Sequence, residues 1–224
     1  MAESSFANVE YVVRTIAQTA VDNEKYFGDL DAVVGDGDFG YSMARGFEIV
    51  LAEWDGIDRA DIGTFLKKVA LTITGRIGGT SGPIWGTAFI RAGTTAGNRA
   101  EVTADDAVAM LRAAIEGIKA RGQSDVGDKT LLDALVPATD RLEAELGVGS
   151  DAQAALDATA AAAREQAEAT RDMLAKRGRA AYTGERSIGT LDAGAIAVAV
   201  MAEQIAKGWS DRTTQSTNAP EEAQ

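Results

Sequence analysis

The sequence predicts an all-α, single-domain protein built from eight helices. Apolar residues recur at helical spacing along almost the whole chain, and strand-like alternation is nearly absent. Ala32-Val33-Val34 comes nearest to a strand and is too short to form one. The segments between the periodic stretches are mostly short, which suits helices packed side by side.

The first helix is expected from Ser5 to about Phe27, with Phe6, Val9, Val12, Val13, Ile16, Ala17 and Ala20 on one stripe. A second fits Tyr41 to Trp54 and a third about Ala60 to Ile77. The fourth begins near Pro83, a residue suited to the first helical position. Thr103 caps the fifth, which ends near Gly122. The sixth runs from about Lys129 to Leu146, and Ser150 caps a long, Ala- and Glu-rich seventh from Asp151 to about Arg177. The eighth follows Asp192 through Lys207. These elements make residues 1–209 one domain, with no internal repeat and no linker. The polar stretch 210–224, with Pro220 and two adjacent acids, is expected to be a disordered tail.

Composition narrows the chemistry. A chain of 224 residues is long enough for one sizeable core. Its net charge of −12 disfavours nucleic acid and anionic membrane surfaces, which attract basic patches. No apolar run approaches a membrane span, and Met1-Ala2-Glu3-Ser4-Ser5 lacks the features of a signal peptide. The chain has no Cys and no His, so its inventory excludes the usual Zn²⁺, haem and iron–sulfur ligands and Ser–His catalysis. Freedom from Cys suits a cytoplasmic location.

The most informative stretch is Gly28-Asp29-Leu30-Asp31-Ala32-Val33-Val34-Gly35-Asp36-Gly37-Asp38-Phe39-Gly40, with four carboxylates in ten residues. At roughly 4 Å and an effective dielectric near 20, two carboxylates repel by about 4 kcal/mol. A hard cation bound by oxygen ligands removes that penalty. Other readings compete. Gly35 to Gly40 fits G-x-G-x-x-G literally, but the strand and βαβ context of a dinucleotide site is missing. An EF-hand starting at Asp36 would place Gly40, Tyr41 and Phe47 at its fifth, sixth and twelfth positions, which the motif does not allow. A solvated turn is the plain alternative. In extended backbone Asp36 and Asp38 share a side, and Asp31 is near enough to close a metal cradle.

Gly78-Gly79-Thr80-Ser81-Gly82-Pro83 precedes the fourth helix and offers hydroxyls beside unpaired N–H groups, an anion site or an ordinary helix start. It lacks the Lys of a P-loop. Two further connections are unusually polar: 121–131, and the long 178–194 with Arg179 and Arg186. Those arginines could meet phosphate charge or form surface ion pairs. Asp128 and Asp192 read plainly as N-caps.

Taken in order, Gly35-Asp36-Gly37-Asp38, Gly79-Thr80-Ser81-Gly82-Pro83, Gly127-Asp128-Lys129-Thr130 with Leu132-Asp133-Ala134-Leu135, and Gly184-Glu185-Arg186-Ser187-Ile188-Gly189 resemble one family, the nucleotide-binding L subunit of dihydroxyacetone kinase. The resemblance covers nearly the whole chain apart from the tail. It implies a closed barrel of eight antiparallel amphipathic helices that binds ADP or ATP and two Mg²⁺ ions at one end. It carries the metal ligands to Asp31, Asp36 and Asp38. Nucleotide contacts fall on Phe39, Gly40, Tyr41, Ser42, Thr80, Ser81, Gly122, Leu131, Arg179, Asp192, Ala193 and Gly194. It also implies a partner K subunit that holds the ketone, with a phosphotransferase-system M-type phosphoryl donor and a homodimer as further partners open to the family. Function is then phosphoryl transfer to dihydroxyacetone or a related short ketose, with Asp31, Asp36, Asp38 and Arg179 at the reacting phosphate. The alternatives are a subunit of an erythrulose-type kinase, a non-catalytic nucleotide-binding regulatory partner, and a fatty-acid-kinase-like nucleotide module. Two departures stand out: Phe39 replaces the family His, and Asp192-Ala193-Gly194 replaces Asp-Pro-Gly. Phe39 has no side-chain donor for a phosphate.

Overall fold

The computed structural model describes residues 5–217, and within them every regular element is helical. The helices are α1 (Ser5–Asp22), α2 (Glu24–Asp31), α3 (Phe39–Ala52), α4 (Ile62–Arg76), α5 (Ser81–Ala96), α6 (Ala104–Gly122), α7 (Leu132–Gly147), α8 (Ala152–Ala169) and α9 (Ala193–Thr217). Each of α3 to α9 packs on the next, and α9 returns to α1, which packs on α3. The ring is closed. Because α2 continues α1 and lies against α3 and α9, the barrel has eight staves although α1 and α2 are separate helices.

The break between α1 and α2 falls at Asn23, inside the single helix that the sequence pattern predicts. Its side-chain amide donates to the Thr19 carbonyl at 2.9 Å, a local bond that competes with helix continuation. The bend lets Phe27 bury completely. Gly40 of α3 fits there because a Cβ would collide with the Glu24 carbonyl and the Gly28 nitrogen. Asp31 therefore closes a helix rather than sitting in a loop.

Aromatic and branched side chains fill the interior, among them Phe27, Met43, Phe47, Phe65, Val69, Ile73 and Ile196, all fully buried. Residues 195–201 of α9 are buried on every face, since α1, α2, α7 and α8 surround that helix. Helices α4 and α5 approach closely where a Cβ on Gly63 would strike the carbonyls of Gly93 and Gly97. Replacing Gly63 with Ala should therefore cost about 1–3 kcal/mol by overpacking, read as a lower urea midpoint with unchanged slope. Gly75→Ala on the same helix meets open space and should hold or raise the midpoint.

Several boundaries differ from the sequence pattern. Asp151, not Ser150, caps α8 by accepting from the Ala154 N–H at 2.9 Å, while Ser150 bonds Glu145. That helix stops at Ala169, well short of Arg177, where the Thr170 hydroxyl turns back onto the Ala167 carbonyl. Helix α7 begins at Leu132, and Asp128 caps nothing. Pro83 is the third residue of α5, still within the turn whose N–H groups are free. The predicted Thr103 cap is present as a full capping box. Helix α9 runs to Thr217, past residue 209 where the domain was expected to end; 218–224 lie outside the described residues.

Candidate functional site

Up-and-down order places the α2–α3, α4–α5, α6–α7 and α8–α9 connections at one end of the barrel, and these are the four segments singled out in the sequence. Contacts link them around the mouth. Ser42 on α3 faces Gly78 of the second loop, Gly122 lies beside Ile84 of α5, and Gly194 of α9 packs on Leu131.

The acidic turn between α2 and α3 brings Asp31, Asp36 and Asp38 together, with one oxygen of each within 4.8 Å of the others. Glycines make this approach feasible. A Cβ on Gly35 would collide with the Asp31 carboxylate, and Gly37 has φ +76°. Asp31 is half-buried and accepts from the Phe39 N–H at 3.4 Å; Asp36 and Asp38 are exposed. Three clustered carboxylates with no nitrogen or sulfur donor suit a hard divalent cation such as Mg²⁺, which keeps several sites for water and phosphate.

Arg179 reaches this cluster from the long α8–α9 connection, pairing with Asp36 and lying 3.7 Å from Asp38. An arginine there can serve a phosphate held by the same cation. Thr80 and Ser81 start α5, and the Thr80 side chain makes no cap bond to its own helix. Gly79, at φ +63°, turns the chain into that start, and Gly82 gives room where a Cβ would hit the Ile77 carbonyl. The first-turn N–H groups and two hydroxyls there offer donors to an anion.

Other predicted contacts separate by role. The Phe39 ring sits 6.1 Å from Phe27, on the core. Gly40 is buried against α2. Tyr41 is exposed, stacks under Arg45 at 5.2 Å, and lines a groove with Asp22, Glu24, Lys25 and Asp29 that also borders Gly37 of the acidic turn. Leu131 is half-buried between the two apolar clusters. Asp192 caps α9 by accepting from the Ala195 N–H at 2.7 Å. Burial, with the nearby charges of Asp133 and Asp31, pushes its carboxyl up to about 7. Ala193 is buried beside it, and no Pro is needed to start the helix.

Two residues carry more than their motif suggests. The buried Asp133 carboxylate accepts from the N–H groups of Gly127 at 2.5 Å and Thr130 at 2.7 Å, which fixes the 127–130 turn on α7. Lys129 is buried, has φ +61°, and burial lowers its ammonium below the ordinary lysine range. The signal in the sequence was the pattern Gly127-Asp128-Lys129-Thr130 with Asp133, but spacing alone gave no direction for either side chain. Asp128 instead meets Arg177 at 3.2 Å and Lys176 at 3.4 Å.

The family model described as the DAK2 domain matches residues 33–207. The PEP-dependent dihydroxyacetone kinase ADP-binding subunit DhaL of Escherichia coli is 38% identical over 182 residues, covering 81% of this chain and 87% of that protein. L-erythrulose 1-kinase of Mycolicibacterium smegmatis is 38% identical over 196 residues, which are 87% of this chain but 34% of that one. Among solved structures, the dihydroxyacetone kinase of C. freundii in complex with AMP-PNP and Mg²⁺ superposes with a TM-score of 0.72 at 26% identity. That match covers 93% of this chain and 34% of that one.

Proposed function

The chain belongs to the DAK2 domain family, alongside the ADP-binding L subunits of dihydroxyacetone kinases, and we propose that it is the magnesium–nucleotide subunit of such a kinase. It passes a phosphoryl group to dihydroxyacetone, or to a related short ketose such as erythrulose, held by a separate K-type subunit. The observation that carries this reading is the convergence of Asp31, Asp36 and Asp38 with Arg179 at one end of the barrel.

In this reading Asp31, Asp36 and Asp38, with one oxygen of each within 4.8 Å of the others, would hold Mg²⁺. The metal supplies neutralisation of phosphate charge. Thr80, Ser81 and the free N–H groups of the α5 start hold phosphate oxygens, and Arg179 faces the charge from the opposite side of the mouth. Gly122, Leu131, Gly194 and Ser42 border the space for the rest of the nucleotide. The erythrulose kinase matches over only 34% of its length, which supports placing the ketone on a body outside these residues. No described helix is long and apolar enough to cross a membrane.

Calorimetry with ATP or ADP tests the core of this proposal, which expects binding in magnesium and little in chelator. No magnesium-dependent binding would end it. A finer expectation concerns exchange. Phe39 turns its ring to Phe27 and gives phosphate no side-chain donor, and one bond to a charged group is typically worth about 1.5–3 kcal/mol. Purified protein dialysed in magnesium should therefore lose its nucleotide, as seen by mass analysis, and ATP should then serve directly as donor. Stoichiometric ADP surviving dialysis, recharged only by an M-type phosphoprotein, would instead make the nucleotide a resident carrier.

A further inference from the structure

We propose that Lys129 is the positioning residue that sets the reach of Arg179, by gathering both ends of the 173–190 segment around one buried ammonium. The inference rests on the nucleotide reading above. Lys129 Nζ donates to the carbonyls of Ser187 at 2.5 Å, Thr190 at 2.8 Å and Met173 at 3.2 Å, with the Thr190 hydroxyl at 3.2 Å. Arg179 lies on the chain between Met173 and Ser187. The ammonium therefore closes the base of the loop whose tip meets Asp36.

The rest of the loop base repeats the pattern. The Ala175 N–H donates to Ser187 Oγ at 2.9 Å, and the Lys176 N–H to the Asp128 carbonyl at 3.1 Å. The 127–130 turn is itself held by Asp133 of α7. A continuous path thus runs from a barrel stave through Asp133 and Lys129 to the arginine.

Stability alone does not account for this lysine. Among the described residues it forms no salt bridge; its direct partners are three carbonyls and the Thr190 hydroxyl, with Asp192, Asp172 and Arg171 acting on it from farther away. Taking an ammonium out of water is costly, and here hydrogen bonds to those oxygens, not a paired carboxylate, offset the cost. Its left-handed backbone adds a strain that few non-glycine residues tolerate. What the ammonium does supply is direction: carbonyls from residues 173, 187 and 190 converge on one point.

Lys129→Met keeps the volume and removes the donors. It should lower Mg·ADP affinity about tenfold or more, as for a lost charge-assisted contact at Arg179. Binding of Mg²⁺ alone should stay within about twofold. Tryptic cleavage at Arg177, Arg179 and Arg186 should accelerate. In an Arg179→Ala background the same substitution should change Mg·ADP affinity by less than about twofold, because the arginine it positions is already gone. Unchanged affinity and cleavage in K129M, or an equal loss in both backgrounds, would overturn the inference. If the unmodified protein binds no Mg·ADP, the nucleotide reading fails instead, and cleavage still reports whether Lys129 anchors the loop. Should K129M not fold, Thr190→Val removes one acceptor of the same ammonium. A smaller shift of the same sign supports the inference, and none overturns it.

Discussion

Asp36→Asn and Asp38→Asn should each reduce magnesium-dependent nucleotide affinity by on the order of a hundredfold, about 2.7 kcal/mol, while circular dichroism of the helices stays unchanged. Both side chains are exposed, and neither caps a helix by a side-chain bond. Losing a carboxylate there removes no core contact. It does remove a hard anionic oxygen from a cluster whose members lie within 4.8 Å.

Binding without metal supplies a control of opposite sign. Arg179 is paired with Asp36, so Asp36→Asn frees the guanidinium for an anion. Metal-free ADP affinity in that variant should be equal to or higher than in the parent. A variant that lost affinity equally with and without magnesium would point to a collapsed loop rather than a missing ligand. Asp31→Asn should be harsher on the fold, because Asp31 also accepts from the Phe39 N–H and fits against Gly35. If Asp36→Asn and Asp38→Asn both bind Mg·ATP like the parent, these carboxylates do not hold the metal.

The sequence made the staves legible because burial in a closed helical ring demands an apolar stripe at the 3.6 period. Phe6, Val13 and Ala17 announce α1 in that way, as Phe65, Val69 and Ile73 announce α4. It hid the Asn23 break because a side-chain amide bonding a carbonyl four residues back leaves no mark in periodicity. It hid the early stop of α8 for a related reason, since Thr170 ends the helix inside an Ala-rich run that favours continuation.

The site divides along the same line. Asp31, Asp36 and Asp38 were visible because clustered like charges beside glycines need a cause. Arg179 drew attention through the length of its loop, but its distance from Asp36 along the chain left their meeting open. Spacing gives the Lys129 and Asp133 side chains no direction. Their roles depend on which carbonyls and N–H groups three distant segments bring to one place, and only the folded barrel supplies that.

Phosphorylation of dihydroxyacetone by the isolated chain should be undetectable, and adding a K-type subunit should raise the rate by on the order of a thousandfold or more. The inventory motivates the first half. No His or Cys is available to activate or tether a ketone, and the clustered acids at the mouth carry the charge of a cation site rather than a ketone-binding nucleophile. The surface motivates the second half. Among the described residues, six of the ten exposed large apolar side chains sit on or beside three of the four connections at the mouth: Val33, Tyr41, Val126, Leu174, Tyr182 and Ile188. Scattered apolar side chains need no cause, but a concentration around one rim favours a partner there. Tyr182 is 92% exposed and only three residues from Arg179. A body docked on that rim would present its bound ketone to the phosphate held by Arg179 and the metal, and would exclude water from the transfer. Tyr182→Ala should accordingly lower the partner-dependent rate while leaving Mg·nucleotide affinity as in the parent. Rapid sugar phosphorylation by the chain alone would place the ketone site within these residues and sink the two-subunit reading. A K-type subunit that restores full activity to the Tyr182→Ala variant would instead move the docking surface away from this loop.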